Sequence, residues 1–292
     1  MMAFLDHFKG MFSGSGRLDV RSRFELLREA ISGTMSKFYM ARDRRSGEIV
    51  GLKILDPEKT KAFESRFKGL TKPTEGEIAI QFDHPYIVRT LEHGLTTDDC
   101  QYLVMEYLDG AGMNSVLVAK DRRLNGRRVE FIRHMAEALQ AVHDAGFIHR
   151  DVCPRNLLLT GDWTTLKLTD FGLTVPAKAQ FLQPGNRTGT PNYMAPELVR
   201  RFPTDHRLDV FAFGVTAYEI CTFELPWPRG VTGMAALSHD QPPAEITKYR
   251  PNIHPELAKA IHWCLEADIK KRCPSMAEFL KAIRKVQRED AA

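Results

Sequence analysis

His149-Arg150-Asp151-Val152-Cys153-Pro154-Arg155-Asn156, followed by Leu166-Lys167-Leu168-Thr169-Asp170-Phe171-Gly172, is the stretch on which the fold turns. Asp151 and Asn156 lie five residues apart, so one loop can aim a base and a metal ligand at the same phosphate. Asp170, nineteen residues beyond Asp151 and directly after an apolar run, offers a second oxygen ligand. Together they make a place for magnesium, a terminal phosphate and an attacking hydroxyl held in line. A lone His-Arg-Asp is a common tripeptide that says little. The ordered set, completed by Ala195-Pro196-Glu197, is specific.

Upstream of this stretch the texture is that of strands. Phe24-Glu25-Leu26-Leu27 and residues 38–41 read as two strands about a turn, and 48–55 as a third, entered through Ser46-Gly47. Helical spacing follows around Ile78 and Phe82, then two short strands over 87–91 and 102–107. After residue 110 the pattern is mainly helical: 129–145 is amphipathic, and 209–222 is apolar nearly all round, as a buried helix is. Strands first and helices later predict an α+β protein with two segregated lobes and no internal repeat. Ser13-Gly14-Ser15-Gly16 is linker chemistry, so residues 1–22 read as a flexible extension.

The length of 292 residues suits one large domain or a compact two-lobed unit. A net charge of +4 is mild, and the basic cluster Lys120, Arg122, Arg123, Arg127, Arg128 reads as a solvated surface, which argues against a nucleic-acid partner. The five cysteines are odd in number and scattered, with no Cys-x-x-Cys pair, which argues against a disulfide frame or a zinc site and for a reducing cytoplasm. No apolar run approaches the roughly 20 residues needed to cross a bilayer. Asp6, His7 and Lys9 fall where a signal peptide would need its apolar core.

On the motifs 149–156, 170–172 and 195–197 the chain resembles a protein kinase of the Ser/Thr type, over residues 23 to about 285. The resemblance implies a bilobal α+β fold: a small, mainly β N-lobe with its hinge over 23–108 and a larger, mainly α C-lobe over 109–292. It implies ATP and Mg2+ as cofactors and a protein with a Ser/Thr acceptor as substrate. Asp151 would be the base, with Asn156 and Asp170 on the metal. Lys53, in Val50-Gly51-Leu52-Lys53, would grip the nucleotide phosphates with a helix carboxylate as partner. Family spacing gives Glu75; Pro73 and Gly76 crowd it, so the helix is predicted to begin only one turn earlier, and Glu77 stays open as a rival. Ile31-Ser32-Gly33-Thr34-Met35-Ser36 matches the phosphate-covering loop but keeps only its middle glycine, Gly33, with Ile31 beside the nucleotide. Residues 102–110 match the strand and hinge that bind adenine, with Met105 as gatekeeper and Glu106 and Leu108 at the base edge.

Cys153 stands where Ser/Thr kinases usually carry a Lys, and Arg155 is expected to supply that charge at the active site. An arginine there also suggests substrates with neutral or acidic flanks. The 189–197 segment resembles the peptide-docking loop, Thr190 bonding near Asp151, Glu197 pairing with Arg272 and Asp209 anchoring the catalytic loop. Arg150 suggests control by a phosphorylated activation loop, for which Thr174 and Thr188 are the acceptors and Thr188 the first expected site. The competing reading from another class is a weak or inactive pseudokinase acting as a nucleotide-binding scaffold, supported by the eroded glycine loop and Cys153. A small-molecule phosphotransferase is disfavoured by the docking loop.

Overall fold

A computed structural model of the chain describes residues 17–30, 36–67, 69–184, 188–228 and 235–290. The chain divides into two compact units, one of Met1–Lys68, Thr74–Asp83 and Arg89–Tyr107, the other of Gly69–Pro73, His84–Val88 and Leu108–Ala292. Two short stretches near residues 69–73 and 84–88 therefore go with the C-terminal unit rather than with the predicted 23–108 lobe.

The N-terminal unit begins with α1 (Val20–Arg23), capped by the Asp19 side chain, and continues with β1 (Phe24–Ala30), β2 (Ser36–Asp43) and β3 (Ile49–Leu55). Then come α2 (Pro57–Glu64), α3 (Glu75–Ala79), β4 (Thr90–Leu95) and β5 (Gln101–Glu106). The strands form one antiparallel sheet in the order β1-β2-β3-β5-β4. Side chains alternate across the pleat, so the register sorts them into two faces. Ala41, Val50, Leu52, Tyr102 and Val104 share one face and pack with Leu18 and Phe24 into a core. Phe38, Gly51 and Lys53 share the other.

Three expectations change here. Residues 17–22 are not loose extension: Leu18 is buried, donates its N–H to Leu95 O at 2.9 Å and accepts from Thr97 N. The strand expected over 87–91 starts at Thr90, because Val88 N donates to Leu168 O and Ile87 bridges Leu168. α2 was not foreseen, although Asp56 accepts from Lys59 N at 3.1 Å and Pro57 opens its first turn, a start signal readable in sequence.

The C-terminal unit is mainly helical, with α4 (Met113–Val118), α5 (Arg128–Asp144), α6 (Pro196–Val199), α7 (Arg207–Thr222), α8 (Pro255–Cys264) and α9 (Met276–Ala282). Two small antiparallel ladders interrupt it: β6 (Phe147–Ile148) with β9 (Val175–Pro176), and β7 (Leu157–Leu159) with β8 (Leu166–Leu168). Every residue of α7 from Leu208 to Thr222 is buried, as a helix apolar nearly all round requires. The architecture is thus α+β, a five-stranded antiparallel sheet followed by a mostly helical part.

Candidate active site

In the N-terminal unit, Lys53 Nζ lies 2.6 Å from Glu75 Oε1, and both side chains are buried. Burying two charges costs several kcal/mol per ion before their attraction offsets it, on the order of magnitude general to proteins, so such a pair is poor at stabilising a fold and good at fixing an ammonium in place. Glu77 does other work. It closes a capping box, its carboxylate accepting from Thr74 N at 2.7 Å while Thr74 Oγ1 accepts from Glu77 N. That box starts α3 at Glu75 itself, so the extra turn predicted before Glu75 is absent.

Gly76 explains how so short a helix holds its register. A Cβ there would sit 2.4 Å from His93 Cβ on β4, so the helix lies directly on the sheet. Gly to Ala in a helix normally gains about 1 kcal/mol. Here the sign reverses: Gly76→Ala is expected to lower the melting temperature and to cut phosphoryl transfer at least tenfold by shifting Glu75 off Lys53. A stabilised, fully active Gly76→Ala protein would show that the contact does not set the pair.

In the C-terminal unit, the Asp151 carboxylate is held by three hydrogen bonds. Oδ1 accepts from Thr190 Oγ1 at 2.7 Å and Thr190 N at 2.9 Å, and Oδ2 accepts from Asn156 Nδ2 at 2.9 Å. A carboxylate has roughly four acceptor sites, which leaves one direction for an incoming hydroxyl. Asn156 Nδ2 also donates to Asp151 O at 2.7 Å, so the amide nitrogen is spent and Oδ1 is the atom left for a cation. Asp170 Oδ1 accepts from Gly172 N at 3.2 Å. A carboxylate and an amide oxygen are the donors that magnesium takes, so these residues fit that ion.

Arg150 and Asp170 both adopt left-handed backbone, with φ of 70° and 67°. Such conformations cost about 1–3 kcal/mol each and persist only where neighbours impose them. For Arg150 the neighbour is Asp209 on α7, which is fully buried. Its carboxylate accepts from His149 N at 2.7 Å, Arg150 N at 2.8 Å and His143 Nε2 at 2.9 Å. Burial alone would raise this carboxyl, but the hydrogen bond from His143, the charges of both histidines and the Arg150 N–H outweigh it and hold it below the usual range. His143 was missed in the sequence. Its signal was a polar residue on the buried stripe Ala136-Leu139-His143 of an amphipathic helix.

The remaining residues separate into framework and surface. Arg272 and Glu197 form a buried two-pronged pair at 2.7 and 2.9 Å. Cys153 is buried 3.7 Å from Thr190 Oγ1, and burial together with the Asp151 charge pushes its thiol up to about 12, so it is no thiolate. Arg155 is exposed. Thr174 is fully buried and donates Oγ1 to His149 O at 3.3 Å, a structural role. Thr188 is buried too, so phosphorylating it requires this segment to open. Met105 is buried on β5, and Glu106 N donates to Arg89 O at 3.0 Å. Ile31 and Gly33 lie outside the described residues.

Residues 24–282 match the family described as protein kinase domain. The chain is 30% identical over 275 residues to a probable serine/threonine-protein kinase of Clostridium perfringens, covering 92% of this chain and 39% of that protein. It is 30% identical over 266 residues to serine/threonine-protein kinase pkn3 of Myxococcus xanthus, covering 86% and 47%. Over 277 residues it is 30% identical to serine/threonine-protein kinase PknA of Mycobacterium tuberculosis, covering 91% and 61%. The chain spans about two fifths to three fifths of the length of these relatives. It belongs to the protein kinase domain family.

Proposed function

We propose that the protein transfers the γ-phosphoryl of MgATP to Ser or Thr hydroxyls of other proteins. The observation that carries this reading is the Asp151 carboxylate, fixed by Thr190 and Asn156 with one acceptor direction open. In this reading Asp151 takes the proton of the incoming hydroxyl as its oxygen attacks the γ-phosphorus and ADP leaves. Asn156 and Asp170 would hold the magnesium, which would supply charge neutralisation. Lys53, fixed by Glu75, binds the phosphates. Met105, Glu106 and Leu108 bind the base, with Ile31 and Gly33 covering the nucleotide. Arg155 supplies the cation that Cys153 does not.

A protein substrate is favoured by the resemblance of residues 189–197 to a peptide-docking loop, whose Thr190 bonds to Asp151. Exposed Arg155 favours neutral or acidic residues around the acceptor. Autophosphorylation falls on Thr188 when its segment opens. A cytoplasmic setting is supported by five cysteines that are all unpaired, and no helix among the described residues is long and apolar enough to cross a membrane.

The test is transfer from γ-labelled MgATP by the wild-type and Asp170→Asn proteins, with modified sites mapped by mass spectrometry. Label on Ser or Thr of an added protein, reduced at least a hundredfold in the variant, is the expected result. Tight MgATP binding without label would identify a nucleotide-binding scaffold instead.

A further inference from the structure

His239 is a buried histidine that the chemistry proposed above leaves unused. It is 2% exposed and follows a short turn, Ala235–Ser238. Its Nδ1 lies 2.7 Å from the carbonyl oxygen of Met194. A carbonyl only accepts, so Nδ1 carries the ring proton and donates it. Burial outweighs that bond and the Asp240 charge and holds the ring below the ordinary histidine range, so it is neutral at neutral pH. Aromatic neighbours set the plane of the imidazole: Trp227 lies 4.6 Å away and Phe211, on α7, 5.6 Å, centroid to centroid. Trp227 is itself tied down, its Nε1 donating to Gln241 O at 2.9 Å. The ring is thus held with its donor aimed at the 189–197 segment.

The next residue, Asp240, pairs with Arg200. Two consecutive residues therefore grip both ends of the stretch 194–200. The Arg200 pair is partly exposed, and such pairs hold weakly. The His239 bond is buried, where leaving a carbonyl without its donor is costly, so it is the stronger hold. Thr190 is secured separately, by its two bonds to Asp151 Oδ1. Met194 and Leu198 are buried together, so the Met194 backbone carries the apolar side of the segment with it. We propose that His239 is a positioning residue for the peptide-docking segment, its Nδ1–H fixing the Met194 backbone along which the substrate chain lies. The inference rests on the docking reading of residues 189–197 given above. Because Thr190 keeps Asp151 aimed without it, the His239 donor acts on substrate affinity and not on proton transfer.

Steady-state transfer from MgATP to dephosphorylated casein by the full chain tests this. His239→Leu and His239→Asn both remove the ring and share one branched shape, but only Asn places an N–H where Nδ1 stood. His239→Leu is expected to raise KM for casein about tenfold, while kcat and the Kd for MgATP stay within about threefold. His239→Asn is expected to recover most of that KM. Long-range proton–nitrogen NMR spectra of the wild type are expected to show the His239 proton on Nδ1, assigned by the loss of its signal in His239→Asn. Equal KM losses in the two variants would overturn the proposal, since the ring would then serve packing alone. So would a fall in kcat with KM kept, or a wild-type proton on Nε2. A folded wild type that binds MgATP but labels no protein would remove the function proposed above, whereas KM values indifferent to residue 239 would remove only the positioning role.

Discussion

Asp151→Asn is expected to lower kcat by about 10²- to 10⁴-fold and to leave the Kd for MgATP within about twofold. The substitution keeps the size of the side chain but removes its ability to accept a proton. It also turns one acceptor into a donor. In wild type both carboxylate oxygens receive hydrogen bonds, Oδ1 from Thr190 and Oδ2 from Asn156. An amide must set its NH2 against one of those donors, so the group is both chemically inert and poorly aimed. Single-turnover phosphorylation of a protein substrate at saturating MgATP, beside equilibrium nucleotide binding, separates the two quantities. A kcat within threefold of wild type would take Asp151 out of the path of the proton.

Arg272→Ala is expected to destabilise the C-terminal unit by about 3–5 kcal/mol, the range for removing one partner of a buried ion pair. The guanidinium has all five of its N–H groups in use. Nη1 and Nη2 grip the two oxygens of Glu197, and the other bonds run to the carbonyls of Arg207, Glu266 and Ala267. Truncation leaves a carboxylate and three carbonyls without this donor in a buried place. Arg272→Lys keeps a charge but not the planar fork, so it recovers only part of the loss. Urea unfolding midpoints measure both variants. In Arg272→Ala/Glu197→Ala the combined loss should fall below the sum of the single losses, because the second truncation removes the stranded charge. A loss below about 1 kcal/mol for Arg272→Ala would show that the pair is not structural.

The chemistry-bearing loop was legible because its residues are close in sequence and their order is constrained. Asp151, Asn156 and Asp170 come from one stretch, and the structure sets Asp151 beside Asn156 and Thr190. The run at 209–222, apolar nearly all round, likewise became a buried helix. What escaped reading was decided by contacts between distant segments. Strand-forming residues Ile87 and Val88 lost their place in the sheet because Leu168 takes their backbone bonds. His143 belongs to the site only because α7 brings Asp209 to it. Family spacing pointed to Glu75, and Glu77 stayed open as a rival. The capping box that occupies Glu77 depends on Thr74, whose local signal, Thr-x-x-Glu, was present in the sequence and not used.

The brevity of α3 has a mechanical consequence. Five residues of helix span about 7.5 Å, so this element has almost no lever arm. A long helix can be tilted by a touch at its far end, and the carboxylate at its base then swings. Here Glu75 is the first residue, Thr74 and Glu77 clasp the entry, and Gly76 is seated on His93. A partner meant to unlatch Lys53 from Glu75 would have to prise that clasp apart at close quarters rather than steer it from a distance.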